Sequence, residues 1–119
     1  AQADFPEVAA GHVQGWQGAP RKALVVDCRP AAEYQRGHVP GSVNIQPGRL
    51  PAEASRLPRD KAATIIFYCR GGGSTLAREA AVAAAGLGYR NLYLYRRGFP
   101  DWVALGMPVE KGAPPARRR

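Results

Sequence analysis

The β-branched and aromatic run Ala63-Thr64-Ile65-Ile66-Phe67-Tyr68 ends directly on Cys69-Arg70, and Gly71-Gly72-Gly73 then gives way to Ser74-Thr75 and an alanine-rich stretch reaching Ala85. A strand that passes through a glycine loop straight into a helix is the first half of a βαβ unit, whose second strand lies parallel to the first. Asn91-Leu92-Tyr93-Leu94-Tyr95 supplies that strand after a natural stop at Gly86. The segment commits the chain to a parallel sheet covered by helices, and it places Cys69 where a strand meets a helix.

The remaining elements fit the same plan. Pro6 to Trp16 predicts a short helix with Pro6 in its first turn, followed by a turn at Gly18-Ala19-Pro20. Ala23-Leu24-Val25-Val26 reads as a buried strand that stops at Asp27-Cys28-Arg29-Pro30. Ala31 to Gln35 is a short helix closed by Gly37, and Ser42-Val43-Asn44-Ile45 is a brief strand between Pro40-Gly41 and Pro47-Gly48. Prolines limit Pro51 to Arg59 to a helical turn or two, and Phe99 to Leu105 forms a final helix before Gly106-Met107-Pro108. Alternation of short apolar strands and helices predicts an α/β layer structure with a mainly parallel sheet. The chain of 119 residues fits one domain over residues 1–110. Residues 111–119, ending in Arg117-Arg118-Arg119 beyond Pro114-Pro115, read as a basic, disordered tail.

The formal net charge is +8, and an excess of arginine remains without the tail. Such a balance suits nucleic acid or a pocket for small anions. No aromatic-basic RNA signature or recognition-helix pattern accompanies it, so small anions are the expected partners. No segment reaches the unbroken apolar length of a bilayer span, which predicts a soluble chain. Ala1-Gln2-Ala3 resembles the end of a secretory signal peptide and favours a periplasmic over a cytoplasmic location. Cys28 and Cys69 lack the paired spacing of a zinc or dithiol motif, and each is read singly.

In open α/β sheets ligands bind beyond the carboxyl ends of the strands, where the next helix offers unpaired amides and partial positive charge. Three consecutive glycines let the backbone after Cys69 curl into an anion-binding nest. The helix start, the nest and the adjacent Arg70 all favour a thiolate over a thiol, and Ser74 or Thr75 is suited to cap the helix or bind an anion. A phosphate loop fails, because no Gly-Lys-Ser/Thr follows the glycines.

Tyr68-Cys69-Arg70-Gly71-Gly72-Gly73-Ser74-Thr75 resembles the active-site loop of rhodanese-homology domains. Asp27-Cys28-Arg29, Glu33-Tyr34 and the run from Gly37 to Ile45 are similar to the first signature of that family. Gly98-Phe99-Pro100-Asp101-Trp102 with Gly106-Met107-Pro108-Val109 is similar to its closing one. The resemblance implies a three-layer fold with a mainly parallel five-stranded sheet. It also implies a sulfurtransferase of the thiosulfate type that works through a Cys69 persulfide, without metal or organic cofactor. Cys69 would take the outer sulfur of thiosulfate or a low-molecular-weight persulfide and pass it to cyanide or a thiol. Arg70, Gly71, Gly72, Gly73, Ser74 and Thr75 would bind the donor and hold the persulfide charge on their amides.

Two departures bear on the donor. Thiosulfate-using relatives carry Arg or Lys where Ser74 stands, and mercaptopyruvate-using ones a hydroxyl residue where Gly71 stands. Arg29 or Arg70 is then a candidate for the missing anion contact, and Arg97, replacing the first glycine of the closing signature, adds a charge near the pocket mouth. Phosphatases and arsenate reductases of this fold need Arg six positions after the cysteine, where this chain has Thr75. A non-enzymatic sulfur-carrying, redox-sensing or interaction module is the alternative function. Cys28 reads as a small buried filler, with a resolving thiol for Cys69 as the sharper reading. His38 reads as a structural hydrogen-bonding residue in a turn. Asp27, Arg29 and Glu33 read as a polar network bracing the strand end, and Trp16, Trp102, Tyr93 and Tyr95 as core or groove-lining aromatics.

Overall fold

The structure, a computed structural model, describes residues 5–17 and 22–112. Strands β1 (Leu24–Asp27), β2 (Val43–Asn44), β3 (Thr64–Tyr68) and β4 (Asn91–Tyr95) form one sheet in the order β2-β1-β3-β4, with every pairing parallel. Helices α1 (Ala10–Trp16), α2 (Ala31–Arg36), α3 (Leu76–Gly86) and α4 (Gly98–Ala104), with 3₁₀ turns at Pro47–Arg49 and Ala54–Arg56, surround it. The α/β class and the parallel sheet are those read from the sequence.

The sheet has four strands rather than five. Before α1, the Val8 amide donates to the Leu94 carbonyl and the Leu94 amide to the Pro6 carbonyl, each at 2.9 Å. This makes a single bridge along the outer edge of β4. Pro6 has no amide hydrogen with which to extend the pairing, and the chain turns into α1 at Ala10 instead of starting the helix at Pro6. The turn at Gly18-Ala19-Pro20, residues 1–4 and the arginine tail from residue 113 onward lie outside the described residues. Among the described residues no helix is long and apolar enough to cross a membrane.

Side chains alternate across the sheet with the period of a strand. Val26, Ile65, Phe67, Leu92 and Leu94 face α3, whose Ala77, Ala80, Ala81 and Ala84 form one small-residue stripe that brings the helix close to the sheet. Val25, Ile66, Tyr68 and Tyr95 face the other way, onto Val13 of α1 and Trp102 of α4. Helices thus cover both faces in three layers. Cys28 and Cys69 continue the α3-facing rows beyond the ends of β1 and β3.

The strand order places the site. From β1 the chain moves outward to β2, then returns past β1 to β3, so its direction across the sheet reverses between β1 and β3. Ligand crevices open at such a reversal, beyond the carboxyl ends of the two strands. Those ends are Asp27-Cys28-Arg29 and Tyr68-Cys69-Arg70.

Candidate active site

Cys69 follows the last residue of β3 and is 4% exposed. Its backbone is pinned from the neighbouring crossover, where the Phe99 amide donates to the Cys69 carbonyl at 2.9 Å. Gly71 (φ +77°) and Gly72 (φ +59°) then take left-handed conformations that turn the chain back toward α3. The Ser74 amide donates to the Gly71 carbonyl at 3.2 Å, closing the turn. The loop therefore consumes Ser74 and Thr75, and α3 begins at Leu76 with Thr75 at its N-cap position, one of the two capping residues read from the sequence.

The loop and the β4–α4 junction leave each other no room. A Cβ on Gly71 would collide with the Arg97 carbonyl oxygen, and one on Gly98 with the Cys69 carbonyl oxygen and the Gly71 amide. The two glycines interlock the loop with the closing segment. No side chain, and so no hydroxyl of the mercaptopyruvate-type loop, is accommodated at Gly71 in this conformation.

The thiol lies 2.9 Å from the Ser74 hydroxyl. As a thiol, Cys69 donates to that oxygen, which also accepts from the Leu76 amide at 3.4 Å; once Cys69 is ionised, the hydroxyl's own hydrogen is free to turn toward sulfur. Among the described residues, the Gly72 and Gly73 amides donate to no protein group, and no loop amide bonds to Sγ itself. Thr75 is turned away, its hydroxyl donating to Glu79 Oε2 at 2.6 Å.

The arginines are placed differently from the sequence expectation. Arg70 is drawn outward into a forked pair with Glu33, with contacts from 2.8 to 3.2 Å. That guanidinium holds the Glu33 carboxyl below the usual carboxylate range. Glu33 therefore does not join the Asp27–Arg29 network. Arg29 is buried, its Nε and Nη2 on the Asp27 carboxylate and Nη2 also on the Gly37 carbonyl at 2.6 Å. Its guanidinium carbon lies 4.3 Å from the Phe99 ring centroid. Tyr68 donates to Asp27 Oδ2 at 2.7 Å, and burial, then Asp27, pushes its phenol above the ordinary range. Arg29 thus faces structural partners, although it borders a cleft of about 410 Å³ with Glu33, Arg36, Arg70 and Phe99. Arg97 lines a separate cleft with Glu7 and His12.

His38 stacks on Tyr34 with ring centroids 3.7 Å apart. Its Nδ1 donates to the Tyr34 carbonyl at 2.7 Å, because a carbonyl only accepts, and Nε2 lies 3.4 Å from Glu110. Trp102 is buried with its indole donating to the Pro108 carbonyl, and Trp16 packs on Tyr93. What the sequence could not show is the Gly71–Arg97 interlock, since it joins segments distant in the chain. Among the described residues no group of three or more His, Cys, Asp or Glu is placed to hold a metal ion.

A parallel α/β domain that presents a cysteine on a glycine loop at the sheet's reversal point belongs to the class of loop-cysteine proteins. The chain belongs to the rhodanese-like domain family, whose model matches residues 7–105. It is 38% identical over 93 residues to an HTH-type transcriptional regulator of Mycobacterium tuberculosis, a match covering 78% of this chain and 40% of the regulator. It is 35% identical over 95 residues to the thiosulfate:glutathione sulfurtransferase of Saccharomyces cerevisiae, covering 70% of this chain and 66% of that protein. A thiosulfate sulfurtransferase structure from Pseudomonas aeruginosa superimposes with a TM-score of 0.73 at 25% identity, over 92% of this chain and 21% of that one. The chain spans 40% to 62% of the length of the first three curated relatives it matches. Several of the relatives it matches are named sulfurtransferases.

Proposed function

We propose that the chain is a sulfurtransferase in which Cys69 accepts the outer sulfur of thiosulfate or a small persulfide and passes it to a thiol or cyanide. The observation that carries this reading is the meeting of Cys69, the Ser74 hydroxyl and the unpaired loop amides at the end of β3. Cys69 attacks as thiolate, the donor's S–S bond breaks, and sulfite or a thiol leaves with the bonding electron pair. The Ser74 hydroxyl donates to Sγ, while the Gly72 and Gly73 amides, within the loop from Arg70 to Thr75, receive the outer sulfur as its charge develops. Arg29 holds the strand end by pairing with Asp27. Arg36 and Arg70 give the cleft beside the loop a positive edge for an anionic donor or acceptor.

Residues 1–110 act as one catalytic unit under this proposal. The similarity to a transcriptional regulator favours one other reading, a sulfur-loading sensor module. Steady-state assays with thiosulfate, mercaptopyruvate and glutathione persulfide separate the two on the wild type, Cys69→Ser and Ser74→Arg. The enzyme reading expects repeated turnover with thiosulfate or the persulfide, none with Cys69→Ser, and a lower KM for thiosulfate in Ser74→Arg. A single loading without turnover on any donor overturns it in favour of the sensor.

A further inference from the structure

Besides Cys69, the described residues hold a second free thiol, Cys28. The register of β1 against β3 runs from Leu24 opposite Ile65 to Asp27 opposite Tyr68. The Cys28 amide closes its last pair by donating to the Tyr68 carbonyl at 2.8 Å. Cys28 and Cys69 are thus the next residues beyond the last paired positions of the two adjacent strands, and both lie in one buried cluster on the α3 face. Paired residues on neighbouring strands stand about 4.8 Å apart, inside the range of about 4.4–6.8 Å between Cα atoms that a disulfide spans. Cys28, itself fully buried, lies behind the wall of a cleft of about 270 Å³ that it shares with Pro30, Gln46, Pro47, Leu76 and Glu79.

We propose that Cys28 is a resolving thiol that discharges the Cys69 persulfide as hydrogen sulfide when no external acceptor takes the sulfur. The inference rests on the persulfide chemistry proposed above. Cys28 sulfur attacks Cys69 Sγ, the bond from Sγ to the outer sulfur breaks, and the outer sulfur leaves with its electron pair. Written as neutral species, a persulfide and a thiol give one disulfide and one H₂S. The sulfane sulfur is reduced by two electrons and the two cysteine sulfurs are oxidised by one each. Burial, then Asp27 and Cys69, pushes the Cys28 thiol well up, so Cys28 is a slow competitor that acts only when the persulfide persists. A dithiol reductant must then restore both thiols, so a reaction of that class follows this one.

The test is anaerobic loading with thiosulfate, removal of excess donor, and a time course of intact mass and released sulfide for wild type, Cys28→Ser and Cys28→Ala. The wild type is expected to pass from a species carrying one added sulfur to one lighter than the reduced chain by two hydrogens. About one sulfide should be released per chain, and peptide mapping should join Cys28 to Cys69. Both variants should keep the added sulfur about tenfold longer or more. A wild type that holds the sulfur as long as the variants overturns the inference while leaving Cys69 as acceptor. If no chain takes up sulfur, the Cys69 assignment itself falls and this inference with it.

Discussion

Gly71 lies so close to Arg97 that a Cβ at the glycine would overlap the arginine's carbonyl oxygen. The cysteine loop is therefore shaped by the β4–α4 junction as much as by its own residues. Gly72 also has positive φ, yet a Cβ there meets nothing. Gly71→Ala should cost about 2–4 kcal/mol, combining left-handed strain with the collision. Gly72→Ala should cost only about 1 kcal/mol. Thermal unfolding of the pair, with sulfur-transfer assays, checks this; equal losses would show that the interlock does not shape the loop.

Among the described residues, Ser74 is the only side chain hydrogen-bonded to the Cys69 sulfur. Ser74→Ala should lower kcat for sulfur transfer about tenfold, the loss of roughly 1.4 kcal/mol of a charge-assisted hydrogen bond. Ser74→Thr, which restores the hydroxyl, should recover most of it.

The buried Asp27 carboxylate accepts from the Arg29 amide and guanidinium and from the Tyr68 hydroxyl. Asp27→Ala leaves the Arg29 cation buried without its partner and should destabilise the fold by about 3–5 kcal/mol. Tyr68→Phe removes one neutral donor to that carboxylate and should cost about 1–2 kcal/mol. Denaturant unfolding gives both values. A small loss for Asp27→Ala would mean that Arg29 finds solvent or another acceptor.

Because burial raises the Cys28 thiol above its unfolded value, its contribution to stability is fully present below about pH 8.5 and is lost as pH rises beyond it. The alkaline limb of the stability curve should fall by up to about 1.4 kcal/mol per pH unit from this group. In Cys28→Ala that limb should be flatter. Identical limbs would show that Cys28 does not stay neutral on folding.

The sheet core was legible because Ile65, Ile66 and Phe67 are buried on both faces and leave an unbroken apolar run. The strand–loop–helix order around Cys69 was legible for a similar reason, since glycines and alanines carry local conformational preferences. The fifth strand came only from the family resemblance, and the bridge of Glu7 with Leu94 is too short to leave a periodic signature. The split between Arg29 on Asp27 and Arg70 on Glu33 was not legible either. Which carboxylate an arginine reaches depends on how α2 docks beside the loop, and residue spacing carries no record of that. The register that sets Cys28 beside Cys69 is likewise a property of paired strands.

The most direct test of sulfur transfer through Cys69 is the mass of the intact chain after exposure to thiosulfate and removal of the donor. One added sulfur is expected, mapped to the peptide holding Cys69, released by excess thiol and absent from Cys69→Ser. An unchanged mass in the wild type, or the same added sulfur in Cys69→Ser, would contradict the account.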